Sequence, residues 1–153
     1  MAVTEQRRGR RIMMTPQELD AFLTRQRTCR AATVGADGAP HVGALWFCWH
    51  GGSLWLYSLV RSRRWAQLLR DPRLAVVVDD GLEYGELRGA ELSGRAVRVR
   101  EAPRTGAPCP ELAAPERLFA RKYFGGDRMP HDGRHGWLRL TPDRTLSWDF
   151  RKL

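Results

Sequence analysis

The chain has 153 residues, 42% of them hydrophobic, with 26 basic against 17 acidic side chains and a formal net charge of +9. That is one domain's length with enough apolar content for a core, and no apolar run approaches the length of a membrane-spanning helix. Cys29, Cys48 and Cys109 are odd in number and lack metal or redox spacing, which argues against a disulfide framework or a zinc site. No apolar leader segment stands at the start, so a cytoplasmic protein with reduced thiols is expected. Only Lys122 and Lys152 are lysines. An arginine-rich surface favours phosphate and carboxylate partners by fork geometry. Charge alone would also suit nucleic acid, but no basic face interleaved with aromatics is present, so no specific nucleic-acid partner is expected.

Arg7, Arg8, Arg10 and Arg11 precede the first helix, and residues 1–14 read as a flexible basic arm before a single domain over residues 15–153. Thr15-Pro16-Gln17-Glu18 opens that domain with a capping box and a proline at the first helical position. Leu19, Phe22 and Leu23 then repeat at helical spacing. The period changes at Arg30 to Val34, a strand, followed by a turn over Ala36 to Pro40 and a longer strand from Val42 to Trp49. His50-Gly51-Gly52 closes a hairpin onto the strand Leu54 to Ser58.

Next comes Arg61-Ser62-Arg63-Arg64-Trp65, where a helix is predicted to start at Ser62 and to stop before Pro72. Its predicted apolar face is Trp65, Leu68 and Leu69. Arg61, Arg63 and Arg64 crowd the positive end of the helix dipole, where cations are unfavourable. An anion there would meet open N–H groups, a hydroxyl and guanidinium forks together, although a solvated basic face fits the same residues. Leu74 to Val78 is a buried strand by its β-branched run, Asp79-Asp80-Gly81 a turn, and Ala90 to Val99 an alternating strand. After a loop marked by Pro103, Pro108 and Pro110, a helix is predicted to open at Pro115 and run through Leu118, Phe119 and Tyr123. Trp137 to Leu140 and Thr145 to Phe150 are closing strands. Six or seven strands with three short helices predict a mainly β, α+β chain, a six- to seven-stranded antiparallel split β-barrel with short flanking helices.

The order and spacing of these segments resemble the flavin- and deazaflavin-binding split β-barrel family, which includes pyridoxamine 5'-phosphate oxidase and actinobacterial deazaflavin-dependent reductases. The resemblance runs through Asp37-Gly38-x-Pro40-His41, Tyr57-Ser58, Ser62-Arg63-Arg64, Asp71-Pro72-Arg73, Leu92-Ser93-Gly94-Arg95-Ala96 and Trp137-Leu138-Arg139-Leu140-Thr141-Pro142. It implies that Arg63 and Arg64, with Ser62, bind a cofactor phosphate, that Tyr57 and Ser58 line its ribityl chain, and that Val42, Leu45, Trp46 and Phe47 run beside its ring. It also implies a homodimer with cofactor sites at the interface, and oxidoreductase chemistry on an unsaturated or heteroaromatic small molecule. The cofactor implied is the deazaflavin F420 or FMN. F420 is preferred because its phosphodiester and oligoglutamate tail suit a chain this basic. The family also holds FMN-, haem- and acidic-ligand-binding modules without turnover.

The departures narrow the expectation. The vitamin oxidase has a lysine where Phe47 stands, a glutamine where Gly89 stands, and an arginine-leucine-histidine run that is missing after Trp148. These argue against pyridoxamine phosphate oxidation itself. No residue presents itself as the catalytic acid. His131 and His135 flank Gly133 after Pro130, off any regular helix, so no metal pair is expected.

Overall fold

Two long strands, each changing partner halfway, turn this sequence into a barrel. The computed structural model describes Gln6, Arg7 and residues 9–153. β1 (Thr28–Val34), β2 (Pro40–His50), β3 (Ser53–Leu59), β4 (Arg73–Asp80), β5 (Arg88–Val99), β6 (His135–Leu140) and β7 (Arg144–Asp149) form one sheet in the order β4-β1-β2-β3-β6-β5-β7. A further β4–β5 pairing closes six strands into a barrel and leaves β7 as an extra strand on β5. All pairings are antiparallel. The predicted split barrel with short flanking helices is therefore the observed fold.

β2 pairs with β1 from Pro40 to Trp46 and with β3 from Phe47 to His50. β5 likewise faces β4 over Arg88 to Arg95 and β6 over Ala96 to Val99. Beyond the Phe47–Leu56 pair, β2 and β3 part: Tyr57, Ser58 and Leu59 pair only with β6, and Val42 to Trp46 only with β1. A wedge opens between them, and the candidate site lies around it. The Gly51-Gly52 turn that joins these strands has positive φ at both residues, the conformation a two-residue hairpin needs.

α1 (Pro16–Arg25) starts with the predicted capping box: Glu18 N donates to Thr15 Oγ1 at 3.2 Å and Thr15 N to Glu18 Oε2 at 2.8 Å. Its Phe22 and Leu23 are buried in the barrel core with Phe47, Leu54, Leu56, Val76, Val78, Leu92, Leu138 and Leu140. Each such side chain contributes about 1.5–3 kcal/mol. A second core lies under α3 (Pro110–Tyr123), where Leu112, Phe119 and Ala120 meet Cys48, Trp55 and Trp137.

The structure corrects two expectations. α3 opens at Pro110, not Pro115; Pro115 sits inside the helix, buried on the same face as Leu112 and Phe119. Packing of Leu112 in the first turn outweighs the missing N–H at Pro115. Leu69 is 58% exposed, and the buried face of α2 (Arg63–Arg70) is Trp65, Gln67 and Leu68 instead. Buried Gln67 is satisfied, because its Oε1 accepts from Thr33 Oγ1 at 2.6 Å and lies 3.1 Å from His41 Nδ1. Of the basic arm, residues 1–5 and Arg8 lie outside the described residues. Gln6 exchanges side-chain hydrogen bonds with the Ser147 backbone, Arg10–Ile12 make a short 3-10 turn, and Met14 is buried. Residues 10–14 thus lie along β7.

Candidate functional site

α2 follows β3 so closely that its N-terminus stands at the mouth of the wedge. Ser62 caps it as predicted, accepting from Trp65 N at 3.1 Å, while the first N–H groups of the helix have no acceptor within it. Arg63 and Arg64 then diverge. At about 100° per residue, Arg64 falls between Gln67 and Leu68 around the helix, in the middle of the buried arc. Arg63 is exposed. The Arg64 guanidinium reaches into the wedge, where Nη1 donates to Ser58 Oγ at 3.3 Å. It lies so close to β2 that a Cβ on Gly43 would stand 2.7 Å from Nη2. Its Nε is buried with no hydrogen-bond partner. Burial lowers its pKa from the ordinary arginine value.

Beside the helix start is a cleft of about 520 Å³, lined by Leu59, Val60, Arg61, Ser62, Pro103, Gly133 and Arg134. Arg134 comes from the loop before β6, and Val60 N donates to its carbonyl at 2.9 Å. Among the described residues, the side chains of Arg61, Arg63 and Arg134 make no hydrogen bond or ion pair. Carboxylates elsewhere are already engaged: Asp71 with Arg73, Asp80 with Arg88, Asp127 with Arg121, and Glu101 and Glu116 with Arg104. Asp132, in the loop of Arg134, is taken up by the Arg134 and His135 backbone and the His135 ring, so Arg61, Arg63, Arg64 and Arg134 have no carboxylate partner among the described residues, a favourable setting for an anion.

The other predicted site residues divide by strand face. Val42 is 64% and Trp46 44% exposed on the outer face of β2, open beside the wedge. Phe47 is fully buried in the barrel and Leu45 packs against the same core, so their side chains share the interior. Ser58 points inward to Arg64, whereas Tyr57 points outward under α3. There Tyr57 stacks on His135 at 4.8 Å and meets the tilted Trp137 ring at 4.8 Å. Its hydroxyl is buried without a partner, and burial, with Asp132 and Glu116 nearby, pushes its pKa up to about 12. The wedge thus brings together Ser58, Arg64 and the backbone at Gly43, with Ser62 and Arg61 at its mouth. Leu45 and Phe47 share the face of β2 that Gly43 turns toward Arg64 but are taken up by the barrel core, and Tyr57 faces α3.

Three contributors escaped sequence reasoning. Arg134 stands in an aperiodic loop; its one signal is a basic residue flanked by glycine and histidine. Gly43 gave a readable sign, a glycine inside a strand, which marks close approach of another group. Tyr123 clamps β2 where it changes partner: its hydroxyl accepts from Phe47 N at 3.1 Å and lies 2.7 Å from Phe47 O, and its ring stacks on Trp46 at 4.3 Å. Among the described residues no group of His, Cys, Asp and Glu side chains is arranged to hold a metal ion, and no helix is long and apolar enough to cross a membrane.

Comparison with known proteins agrees with this architecture. A conserved hypothetical protein from Mycobacterium tuberculosis is similar with a TM-score of 0.80 and 30% identity, over 97% of this chain and 92% of the other. An F420 reductase is similar with a TM-score of 0.60 and 21% identity, over 83% of this chain and 94% of its own. The heme storage protein HutZ from Vibrio cholerae gives 0.67 and 14%, over 89% and 96%. No curated protein matches the sequence. The family profile described as pyridoxamine 5'-phosphate oxidase matches residues 15–149, the whole of the barrel and its helices. The chain belongs to the pyridoxamine 5'-phosphate oxidase family.

Proposed function

We propose that the protein is a homodimeric oxidoreductase that binds F420 or a flavin at the wedge and reduces an unsaturated or heteroaromatic small molecule. One observation carries this reading: the half-buried Arg64 guanidinium, held by a single hydroxyl against Gly43 with its Nε unpartnered. A desolvated cation with so little compensation fits a site built for an anion. Arg64, Ser58 and Ser62 would hold the cofactor phosphate, with Arg61, Arg63 and Arg134 placing further positive charge around it. The outer face of β2 at Val42 and Trp46 offers an apolar wall for a ring, and the strand's backbone polar groups border the wedge. Hydride transfer is the chemistry such a ring supplies when bound. The protein's part is to fix the phosphate, orient the ring and exclude water. Val42, Trp46 and Phe124, exposed by 64%, 44% and 46%, form the surface against which a second copy would enclose the ring. The likeness to an F420 reductase supports the deazaflavin, as does the surplus of basic charge over acidic.

A second reading uses the same cradle without turnover: a module that holds FMN, haem or an acidic ligand. Likeness to a heme storage protein favours it. Anaerobic titration with reduced F420, reduced FMN and haem in turn, followed by a panel of nitroaromatic and enone acceptors, separates the two. Tight binding of F420 or FMN with oxidation on adding an acceptor is the expected result. Binding without turnover across the panel establishes the module, and failure of all three ligands overturns both readings.

A further inference from the structure

We propose that Lys122 is a reactive amine that captures small aldehydes as imines in a cleft between α1 and α3, apart from the wedge. The cleft has a volume of about 270 Å³ and is lined by Thr24, Cys48, Trp49, Leu118, Arg121 and Lys122. That is just under the range of about 300–1,000 Å³ typical of drug-sized ligands, so its occupant is a single ring or a short chain. Its walls are largely apolar.

The two lysines of the chain are placed in opposite circumstances. Lys152 pairs with Glu18 at 2.5 Å and donates to Met13 O at 2.8 Å. Lys122 has no carboxylate partner among the described residues. Its Nζ donates to Phe47 O at 3.2 Å and lies 4.3 Å from the Phe47 ring centroid and 5.6 Å from that of Tyr123. The charged and titratable groups around it are Arg27 ahead of β1, Cys29 on β1, Cys48 on β2, and Arg121 and Tyr123 on α3. Of the carboxylates bonded to other residues around the cleft, Asp127 pairs with Arg121 at 2.5 Å and Asp20 accepts from Trp49 Nε1 at 2.7 Å, and neither pairs with Lys122. Burial, with the Arg27 guanidinium beside it, lowers the Lys122 pKa to about 8. Burial pushes Cys29 and Cys48 up to about 12, so neither thiol competes as a nucleophile at neutral pH.

A lysine desolvated in an apolar pocket is the usual form of a Schiff-base amine. At pH 7.5 roughly a quarter of Lys122 is neutral, against about a thousandth of an ordinary lysine. The Nζ lone pair forms a bond to the aldehyde carbon and the carbon–oxygen bond breaks. The oxygen departs as water with both amine hydrogens, leaving a neutral imine and no change of oxidation state.

Benzaldehyde with cyanoborohydride at pH 7.5, followed by peptide mass mapping of the intact folded protein, tests the proposal. The reduced adduct should form on Lys122 at least ten-fold faster than on Lys152, at a rate that saturates with benzaldehyde. Leu118→Trp, which fills the cleft, should slow Lys122 at least ten-fold and leave Lys152 unchanged. Equal rates at the two lysines, or a rate linear in benzaldehyde in the unmodified protein, would overturn the proposal.

Discussion

Arg104 and Arg64 are both arginines drawn off the surface, and they differ in what surrounds them. Arg104, in the loop after β5, is 3% exposed, with Nε and Nη2 donating to Glu116 at 3.0 and 2.9 Å and Nη1 to Glu101 at 2.5 Å. Glu116 also accepts from Trp137 Nε1 at 3.1 Å, so the whole group is satisfied and ties α3 to β6. Those carboxylates hold the Arg104 pKa above the ordinary arginine value. Arg64, in the mouth of the barrel, has one hydroxyl at 3.3 Å and no carboxylate, and its pKa is lowered. Saturated pairing marks a guanidinium that serves the fold. A half-buried guanidinium so sparsely paired is the arrangement that the proposed anion would complete.

Stability separates the two most sharply. Arg104→Met should destabilise the protein by about 3–5 kcal/mol, since it strands two carboxylates and the loop they organise. Arg64→Met should change stability by less than about 1 kcal/mol in either direction, because it removes a desolvated charge with little compensation. Urea unfolding of the cofactor-free protein measures both. Equal losses would mean that Arg64 is structural and would break the contrast.

Ligand affinity should show the reverse order. Arg63→Ala with Arg64→Ala should weaken binding of F420 or FMN by about 3 kcal/mol or more, over a hundred-fold, since hydrogen bonds to charged groups contribute about 1.5–3 kcal/mol each. Arg104→Met, assayed where it stays folded, should bind within a few-fold of the unmodified protein. Fluorescence titration reads both. Undiminished affinity in the double variant would remove the phosphate from the cradle.

Two glycines sharpen the same point at a smaller scale. A Cβ on Gly136 would meet the Trp65 ring at 2.7 Å and the Ala102 Cβ at 3.1 Å, both packed in the core. Gly136→Ala should therefore cost about 1–3 kcal/mol of stability. A Cβ on Gly43 would meet only the end of the Arg64 side chain, which can move. Gly43→Ala should cost less than about 1 kcal/mol in stability, yet displace the guanidinium and weaken cofactor binding about ten-fold. A Gly43→Ala variant with full affinity would show that the position of Arg64 beside β2 is incidental.

Local signals in the sequence were legible where a single rule decided them. Thr15 and Ser62 cap their helices as their neighbours predict, and Gly51-Gly52 makes its hairpin. The start of α3 is ambiguous in the sequence because Pro110 and Pro115 both satisfy the rule for a first helical position, and only the burial of Leu112 decides between them. The wedge depends on where β2 leaves β1 for β3, a long-range register that no local pattern encodes. The divergence of Arg63 and Arg64 was readable in principle from helical spacing. Leu69, four residues after Trp65, suggests a buried face rotated away from Arg64, and Gln67 reads as an outward residue because its partners, Thr33 and His41, are distant in sequence.

Lys122 extends the contrast to an amine and should give the smallest effect. Its folded-state pKa of about 8 lies below that of an ordinary lysine, near 10.4. Between those values the unfolded chain still holds a proton that the folded chain has released, so stability from this group rises with pH across that window. Below pH 8 both states are protonated and the cost of burying the charge is carried in full. The side chain keeps part of its hydration, which discounts the rise to about 1 kcal/mol. Lys122→Met should abolish it, so the stability difference between the unmodified protein and the variant should shift by about 1 kcal/mol in favour of the unmodified protein from pH 8 to pH 10. Comparing variant with parent cancels the tyrosines that begin to ionise at the upper end. A pH-independent difference would place the ammonium in water, and Lys122 would then join Lys152 as an ordinary surface cation.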